Sequence, residues 1–240
     1  DWLYCQPQVI RLRVGRKPRA AKPSAKIILN KRLVKIIGLQ KIKQHPPIKA
    51  KINMEKINLI RQLVSEINRL HLEFSNDYFE KGKIEKVNLS RTIQNVPAPH
   101  IYKYRLILHE SVNDYLMTAN IDLKYFYRVK TRESIDDKMQ RYAIREDQYP
   151  VNNWLNDIFG CRIILSAEEI KSTMDLLDDW QEELGLKNWY LRNKEGYRGL
   201  HVYFKNKSNF YFPWELQIWD KKDIQSNIEN HEKFKRNFVL

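Results

Sequence analysis

Four short stretches of the chain hold side chains whose types and spacing suit chemistry on phosphates. Arg128-Val129-Lys130 is followed by Ser134 and Lys138. Two bases two residues apart in a strand point to the same side. A helix opening at Ser134 would add backbone N–H groups and a hydroxyl, with Lys138 one turn further on the same face. A helix N-terminus with three cations suits a triphosphate. Taken singly, Ser134 reads as a cap and Lys138 as a solvated lysine. The second stretch is Asp157-Ile158-Phe159-Gly160-Cys161-Arg162. An aspartate just ahead of a buried strand can face a cleft and hold Mg²⁺, although alone it would pass for a turn residue. In Lys194-Glu195-Gly196-Tyr197-Arg198-Gly199-Leu200-His201, two glycines bracket Tyr197. They let backbone approach a ligand while the ring offers a flat face to a base. In Trp214-Glu215-Leu216-Gln217-Ile218-Trp219, Glu215 and Gln217 share one strand face while Trp214, Leu216 and Ile218 share the other.

The elements that must position these groups follow from periodicity. Ile57, Ile60, Leu63, Val64, Ile67 and Leu70 recur at helical spacing, which predicts an amphipathic helix over 54–80. Pro97 and Pro99 mark a break, and 100–118 reads as a second helix. Residues 121–130 are rich in β-formers and predict a strand. A helix from Ser134 follows, with Asp137 at a capping-box offset. Residues 154–165 end in a short apolar strand, and 167–185 reads as a helix closed by Gly185. Gly199–Phe204 and Phe210–Trp219 read as two strands of a hairpin, and 220–236 as a terminal helix. Helices followed by strands interleaved with helices indicate an α+β domain with a mixed sheet.

Composition sets the outer bounds. Apolar residues make up 42% of the 240 residues, so a packed core is attainable. Cys5 and Cys161 support neither a disulfide framework nor a thiolate metal site, which points to a reducing cytoplasm. No apolar run approaches the ~20 residues of a membrane span, and no secretory signal pattern is present. The net charge of +14 would suggest nucleic acid, but residues 1–53 hold 14 Lys and Arg against one acid, leaving 54–240 nearly neutral. Segment 1–53 has three readings: an RNA-gripping basic arm, a solvated tail, or sequence upstream of a native start at Met54. The expected division is a basic leader at 1–53 and a folded domain at 54–240.

In order and spacing, R-x-K–S–K, D-x-x-G-x-R, GYRGLH and E-x-Q resemble the synthetase domain of RelA/SpoT-type alarmone synthetases, especially the short single-domain forms. The resemblance spans roughly 121–235 and implies a nucleotidyltransferase-like mixed β-sheet flanked by helices. It implies that Arg128 and Arg162 flank the adenine of ATP while Lys130, Ser134 and Lys138 hold its phosphates. Asp157 and Glu215 would ligate Mg²⁺, and Glu215 would act as base toward the acceptor 3′-hydroxyl. Tyr197 would stack on the acceptor base, with Lys194, His201 and Gln217 in support. The implied reaction moves pyrophosphate from ATP to GDP or GTP, giving guanosine tetra- or pentaphosphate, the alarmones of the stringent response.

Three positions depart from the pattern. Tyr127 replaces a usual glycine, Glu195 stands where the family often has Asn, and Trp219-Asp220 stands where Arg-Thr commonly follows Glu-x-Gln-Ile. Losing that arginine disfavours an acceptor with 5′-phosphates, because unpaired phosphate charge is costly to bind. The 3′-terminal adenosine of tRNA is therefore a second acceptor, as in toxic members of the group that pair with an antitoxin. A non-enzymatic nucleotide- or RNA-binding module is a third reading. No adjacent His-Asp pair occurs, so the product hydrolysis seen in longer family members is not expected. The helices at 54–80 and 220–236 could cover the core, pair in a homo-oligomer or bind a neutralising protein.

Overall fold

A stripe of apolar residues at helical spacing runs down the first helix and sets the floor of the domain. Ile57, Ile60, Leu63, Val64, Ile67, Leu70, Phe74 and Tyr78 are all buried, as the i, i+3, i+4 pattern requires of a helix with one face in the core. The computed structural model describes residues 48–145 and 149–236, and for 48–53 and 231–236 the backbone alone. The basic segment through residue 47, with the roles expected for it, lies outside the described residues. Helix α1 (Ile48–Glu80) crosses the Met54 boundary that composition suggested. Its apolar stripe is spent on covering the core of its own chain.

Helix α2 (Ala98–Leu116) opens with Pro97 at its cap and packs on α1. Next come β1 (Phe126–Val129), α3 (Arg132–Ala143) and the single turn α4 (Val151–Trp154). Strand β2 (Phe159–Leu165) leads to α5 (Ala167–Met174), whose start carries a full capping box of Ser166 and Glu169. The expected helix 167–185 breaks after Met174 and resumes only as α6 (Trp180–Glu183). Strands β3 (Leu186–Lys194), β4 (Tyr197–Phe204) and β5 (Trp214–Asp220) and helix α7 (Ile224–Arg236) complete the order.

The five strands form one mixed sheet in the order β1-β2-β5-β4-β3. Strands β2 and β5 run parallel and every other neighbour pair is antiparallel. The fold is α+β, as expected, and the β4–β5 hairpin is present. Strand β3 is the element that periodicity did not pick out. One sheet face is apolar and covers the helices: Phe159 stacks on His71 of α1, and the Trp214 indole donates to Asn68 Oδ1 at 2.8 Å. The other face carries polar side chains, among them Arg128, Glu215, Gln217 and His201.

Helix α3 opens two residues earlier than Ser134. Thr131 is its cap and accepts from the Ser134 N–H at 3.4 Å, so Ser134 lies within the first turn. The connection between β3 and β4 is the two-residue turn Glu195-Gly196, with φ of 54° and 79°. Positive φ at both central residues is the type I′ pattern, which favours Asn-Gly. Helix α7 is pinned to β4 by Asn227, which is fully buried. Its amide accepts from Arg198 N–H at 2.8 Å and donates to Arg198 C=O at 2.7 Å, as a neighbouring strand would.

His71 ties α1 to α2 and to the β4–β5 connection. Asn206 donates to its Nδ1 at 3.0 Å and Tyr104 Oη lies 3.2 Å from its Nε2. Burial pushes its pKa down to about 3.

Two outcomes are expected. A depressed histidine pKa means that the unfolded chain binds the extra proton. The His71 contribution is therefore complete above about pH 6.5 and is lost as pH falls toward 3, amounting to roughly 2 kcal/mol by pH 5. Urea midpoints at pH 7 and pH 5 should show this drop, and His71→Gln should remove it. Glu195→Asn should raise stability by about 0.5–1 kcal/mol, since Asn tolerates the left-handed region better than Glu. Thermal unfolding of the variant checks it.

Candidate functional site

Alternation along the strands puts one set of side chains on the polar face: Arg128 from β1, Arg162 from β2, Glu215, Gln217 and Trp219 from β5, and Tyr197, His201 and Tyr203 from β4. The register sets Gly160 opposite both Arg128 and Glu215, His201 opposite Gln217, and Tyr203 opposite Glu215. With α3 along one side and α7 along the other, this face lines an open cleft of about 560 Å³. Arg128, Lys130, Ser134, Lys138, Asp157, Tyr197, His201, Glu215 and Gln217 all line it. Nine of the side chains singled out by sequence thus meet in one place.

Asp157 is the centre of the α3 side. Its Oδ2 accepts from Lys130 Nζ at 2.7 Å and lies 3.4 Å from Arg128 Nη2, while Oδ1 accepts from Lys138 Nζ at 2.9 Å. Lys130 is locked through its backbone too: its N–H donates to Ile158 C=O at 2.8 Å, and its C=O accepts from Arg105 Nε at 2.9 Å. Lys138 also donates to Trp154 C=O at 2.8 Å. Burial alone would raise the Asp157 carboxyl pKa, but the charges of Lys130, Lys138 and Arg128 outweigh it and hold the group well below the usual carboxylate range. Lys130 is pushed down to about 8, chiefly by burial, against the opposing pull of Asp157.

Glu215 is the second buried carboxylate. Its Oε1 accepts from His201 Nδ1 and Tyr203 Oη, each at 2.8 Å, and its Oε2 accepts from Gln217 Nε2 at 2.9 Å. Arg128 Nη2 lies 3.8 Å from Oε2, so one guanidinium sits between the two carboxylates. Burial opposes ionisation here also, yet the hydrogen bond and charge of His201 prevail and lower the pKa. Both carboxylates are ionised near neutral pH. They are hard oxygen donors of the kind Mg²⁺ takes one or two at a time. Among the described residues no group of three or more His, Cys, Asp and Glu side chains forms a metal cage.

Two expected site residues stand elsewhere. Arg162, expected beside adenine, is buried behind the cleft lining, donates to Gln217 Oε1 and lies over the Trp219 ring. Lys194 is exposed at the end of β3, where it pairs with Glu195 at 3.2 Å. Other lining residues were not foreseen. Tyr190 stacks on His201 with centroids 5.1 Å apart and planes 3° from parallel, and Arg192 lies two residues further along β3. The signal for them was the Glu195-Gly196 turn: a two-residue turn pairs Lys194 with Tyr197, and counting back puts Tyr190 opposite His201. Gly199 is explained by space, since a Cβ there would come within 2.8 Å of Tyr197 Oη and 3.1 Å of Trp219 Cδ1.

Asp157→Asn should destabilise the fold by roughly 3–5 kcal/mol at pH 7, because it leaves Lys130 buried without its counter-charge. The deficit should narrow as pH rises above about 8, where Lys130 gives up its proton. Denaturant unfolding at pH 7 and pH 9.5 measures both effects.

Residues 127–238 match the family described as "Region found in RelA / SpoT proteins". No curated protein matches the chain. Small alarmone synthetase 2 from Bacillus subtilis is similar at 25% identity over 57% of this chain and 82% of that one, with a TM-score of 0.37. Small alarmone synthetase 1 from the same organism, bound to its product pppGpp, shows 20% identity over 57% and 75%, with a TM-score of 0.36. A GTP pyrophosphokinase family protein from Streptococcus pneumoniae shows 22% identity over 57% and 72%, with a TM-score of 0.36. The matched residues run from the second residue of β1 through α7 and so include the strands that carry the polar face of the sheet.

Proposed function

We propose that the cleft transfers pyrophosphate from ATP to the 3′-hydroxyl of a guanine nucleotide, GDP or GTP. The observation that carries this reading is the pairing of two ionised buried carboxylates across one arginine, with two lysines on one side and an aromatic wall on the other. Lys130, Lys138 and Arg128 stand ready for a triphosphate. They are held together by Asp157 so that their mutual repulsion is already offset. The first turn of α3 adds Ser134, which lines the same cleft. Transfer of a phosphoryl group asks mainly for charge neutralisation and alignment, which is what this arrangement supplies.

Asp157 and Glu215 would hold Mg²⁺, which when bound supplies charge neutralisation on the transferred phosphates. Glu215 stays ionised and so can orient the acceptor hydroxyl and take its proton. Its lowered pKa limits its strength as a base, so holding and aligning are its larger part. Tyr190 and Tyr197 offer ring faces on the acceptor side, with Arg192 as the nearby cation. ATP as donor puts the reaction in the cytoplasm. No helix among the described residues is long and apolar enough to cross a membrane.

One observation favours a second acceptor. Position 219 contributes no cation to the cleft: Trp219 is 2% exposed and lies against Arg162. A tRNA 3′ end, which carries no 5′ di- or triphosphate at its terminal adenosine, asks for less charge there. In that reading a protein antitoxin would be the neutralising partner.

The chain incubated with Mg²⁺ and ATP labelled in its terminal phosphates decides between them. Label is expected in guanosine tetra- or pentaphosphate when GDP or GTP is the acceptor. Label only in deacylated tRNA would select the second reading, and label in neither would reject both. Glu215→Gln, with its unfolding midpoint kept, should lose roughly 10²–10⁴ in rate. Near-normal turnover by that variant would remove Glu215 from the mechanism.

A further inference from the structure

Strand β3 ends the sheet on one side, and its neighbour β4 fixes which of its backbone groups face out. Arg198 spends its N–H and C=O on Asn227, at 2.8 and 2.7 Å, on the side of β4 away from β3. It therefore exchanges no hydrogen bond with Asn193, the residue opposite it. Bonded and unbonded pairs alternate along an antiparallel ladder. Leu191 and Trp189, two and four residues back, are thus unbonded to β4 as well. The two-residue turn agrees, since it makes Lys194 and Tyr197 a bonded pair. The N–H and C=O groups of Trp189, Leu191 and Asn193 point outward, and among the described residues they meet no partner. Tyr190 and Leu191, on opposite sides of the sheet, are each 43% exposed. This edge is open.

Beside it, on the sheet face opposite the cleft, lies a cavity of about 160 Å³. Buried Leu200 and Ile218 line it together with the more exposed Leu191 and Met174. Lys171 and Arg198 line it too, and among the described residues neither is in an ion pair. Of its other charged residues, Lys222 pairs with Asp220 at 3.6 Å and Asp223 is the remaining acid. Strand β3 itself carries Lys187, Arg192 and Lys194 and no acid. An open ladder thus runs beside an apolar recess in a basic setting.

We propose that this edge docks an extended, acidic segment of another protein, which pairs with β3 as an added strand and seats one apolar side chain in the cavity. Charge selects the occupant. A second copy of this chain would set cation against cation across the new pair, and like charges there repel. Residues 1–53 of the chain hold 14 Lys and Arg against one acid, so they are repelled as well. Side chains of an added strand alternate between the two faces. One placed opposite Leu191 lies over the cavity, and one opposite Arg192 faces that guanidinium on the cleft side. The segment that fits alternates apolar and acidic residues. The proposal holds whether or not the cleft transfers pyrophosphate.

A short blocked peptide alternating glutamate with valine and leucine, added to the nitrogen-15-labelled full chain, tests it. Binding should slow amide exchange at Trp189, Leu191 and Asn193. Exchange at Tyr190 and Arg192, already bonded to β4, should stay as it was. Added salt should weaken binding. In an added strand only every second amide faces β3. Methyl groups on one alternate set of peptide nitrogens should therefore abolish binding, and on the other set they should not. Leu191→Asp puts an acid beside the cavity and should weaken binding roughly tenfold or more, the worth of one seated apolar side chain.

No binding at millimolar peptide would overturn the proposal. So would equal binding of a peptide with lysine in place of glutamate, or slowed exchange that does not alternate along β3. An affinity unchanged in Leu191→Asp would remove the cavity from it. The pair of methylated peptides needs no variant, so the outcome is decided even if Leu191→Asp does not fold.

Discussion

The Asp157 carboxylate is the interaction on which the site depends. Three cations from three places in the chain converge on it: Arg128 from β1, Lys130 from the β1–α3 connection and Lys138 from the second turn of α3. Without a shared anion these groups would repel one another at close range, and burial would strip Lys130 of its charge. With it, α3 is drawn against the end of β2 and its first turn is aimed into the cleft. The carboxylate thus has a structural duty and a ligand-facing position at once. Buried ion clusters are seldom a net gain in stability, so specifying geometry is the better account of why these charges are brought together.

The second half of the cleft is organised differently. Glu215 is held by hydrogen bonds as well as by charge: from a histidine, a tyrosine and an amide, each with a further partner. Desolvated carboxylates would ordinarily keep their protons, and here both are held ionised by hydrogen bonds or by counter-charge. That contrast divides the cleft into a cationic side, suited to a polyphosphate, and a hydrogen-bonded aromatic side, suited to a base and a hydroxyl. The division follows from the strand order, since β5 lies between β2 and β4 and so presents Glu215 to both sides.

Much of this was legible in the sequence because its determinants are local. The burial stripe of α1 is a matter of spacing. The two-residue offsets of Arg128 and Lys130, and of Glu215 and Gln217, put each pair on one face whatever the sheet does around them. The α+β class and the β4–β5 hairpin followed in the same way. Composition marked the basic segment ahead of Met54 as unlike the rest.

Other features needed the tertiary structure, for physical reasons that can be named. Strand β3 sits at the sheet edge with most of its residues exposed, so no burial alternation marks it, and Tyr190 and Arg192 went unnoticed with it. The cap of α3 fell to Thr131 because its hydroxyl, and not that of Ser134, meets the free N–H of the first turn. Arg162 looked like a nucleotide clamp in one dimension. Only the pairing of β2 with β5 shows it opposite Gln217 and over Trp219. The sequence by itself determined which residues could do chemistry and on which strand face each would lie. The tertiary structure decided which of them meet, because register between distant strands sets those distances and local spacing cannot.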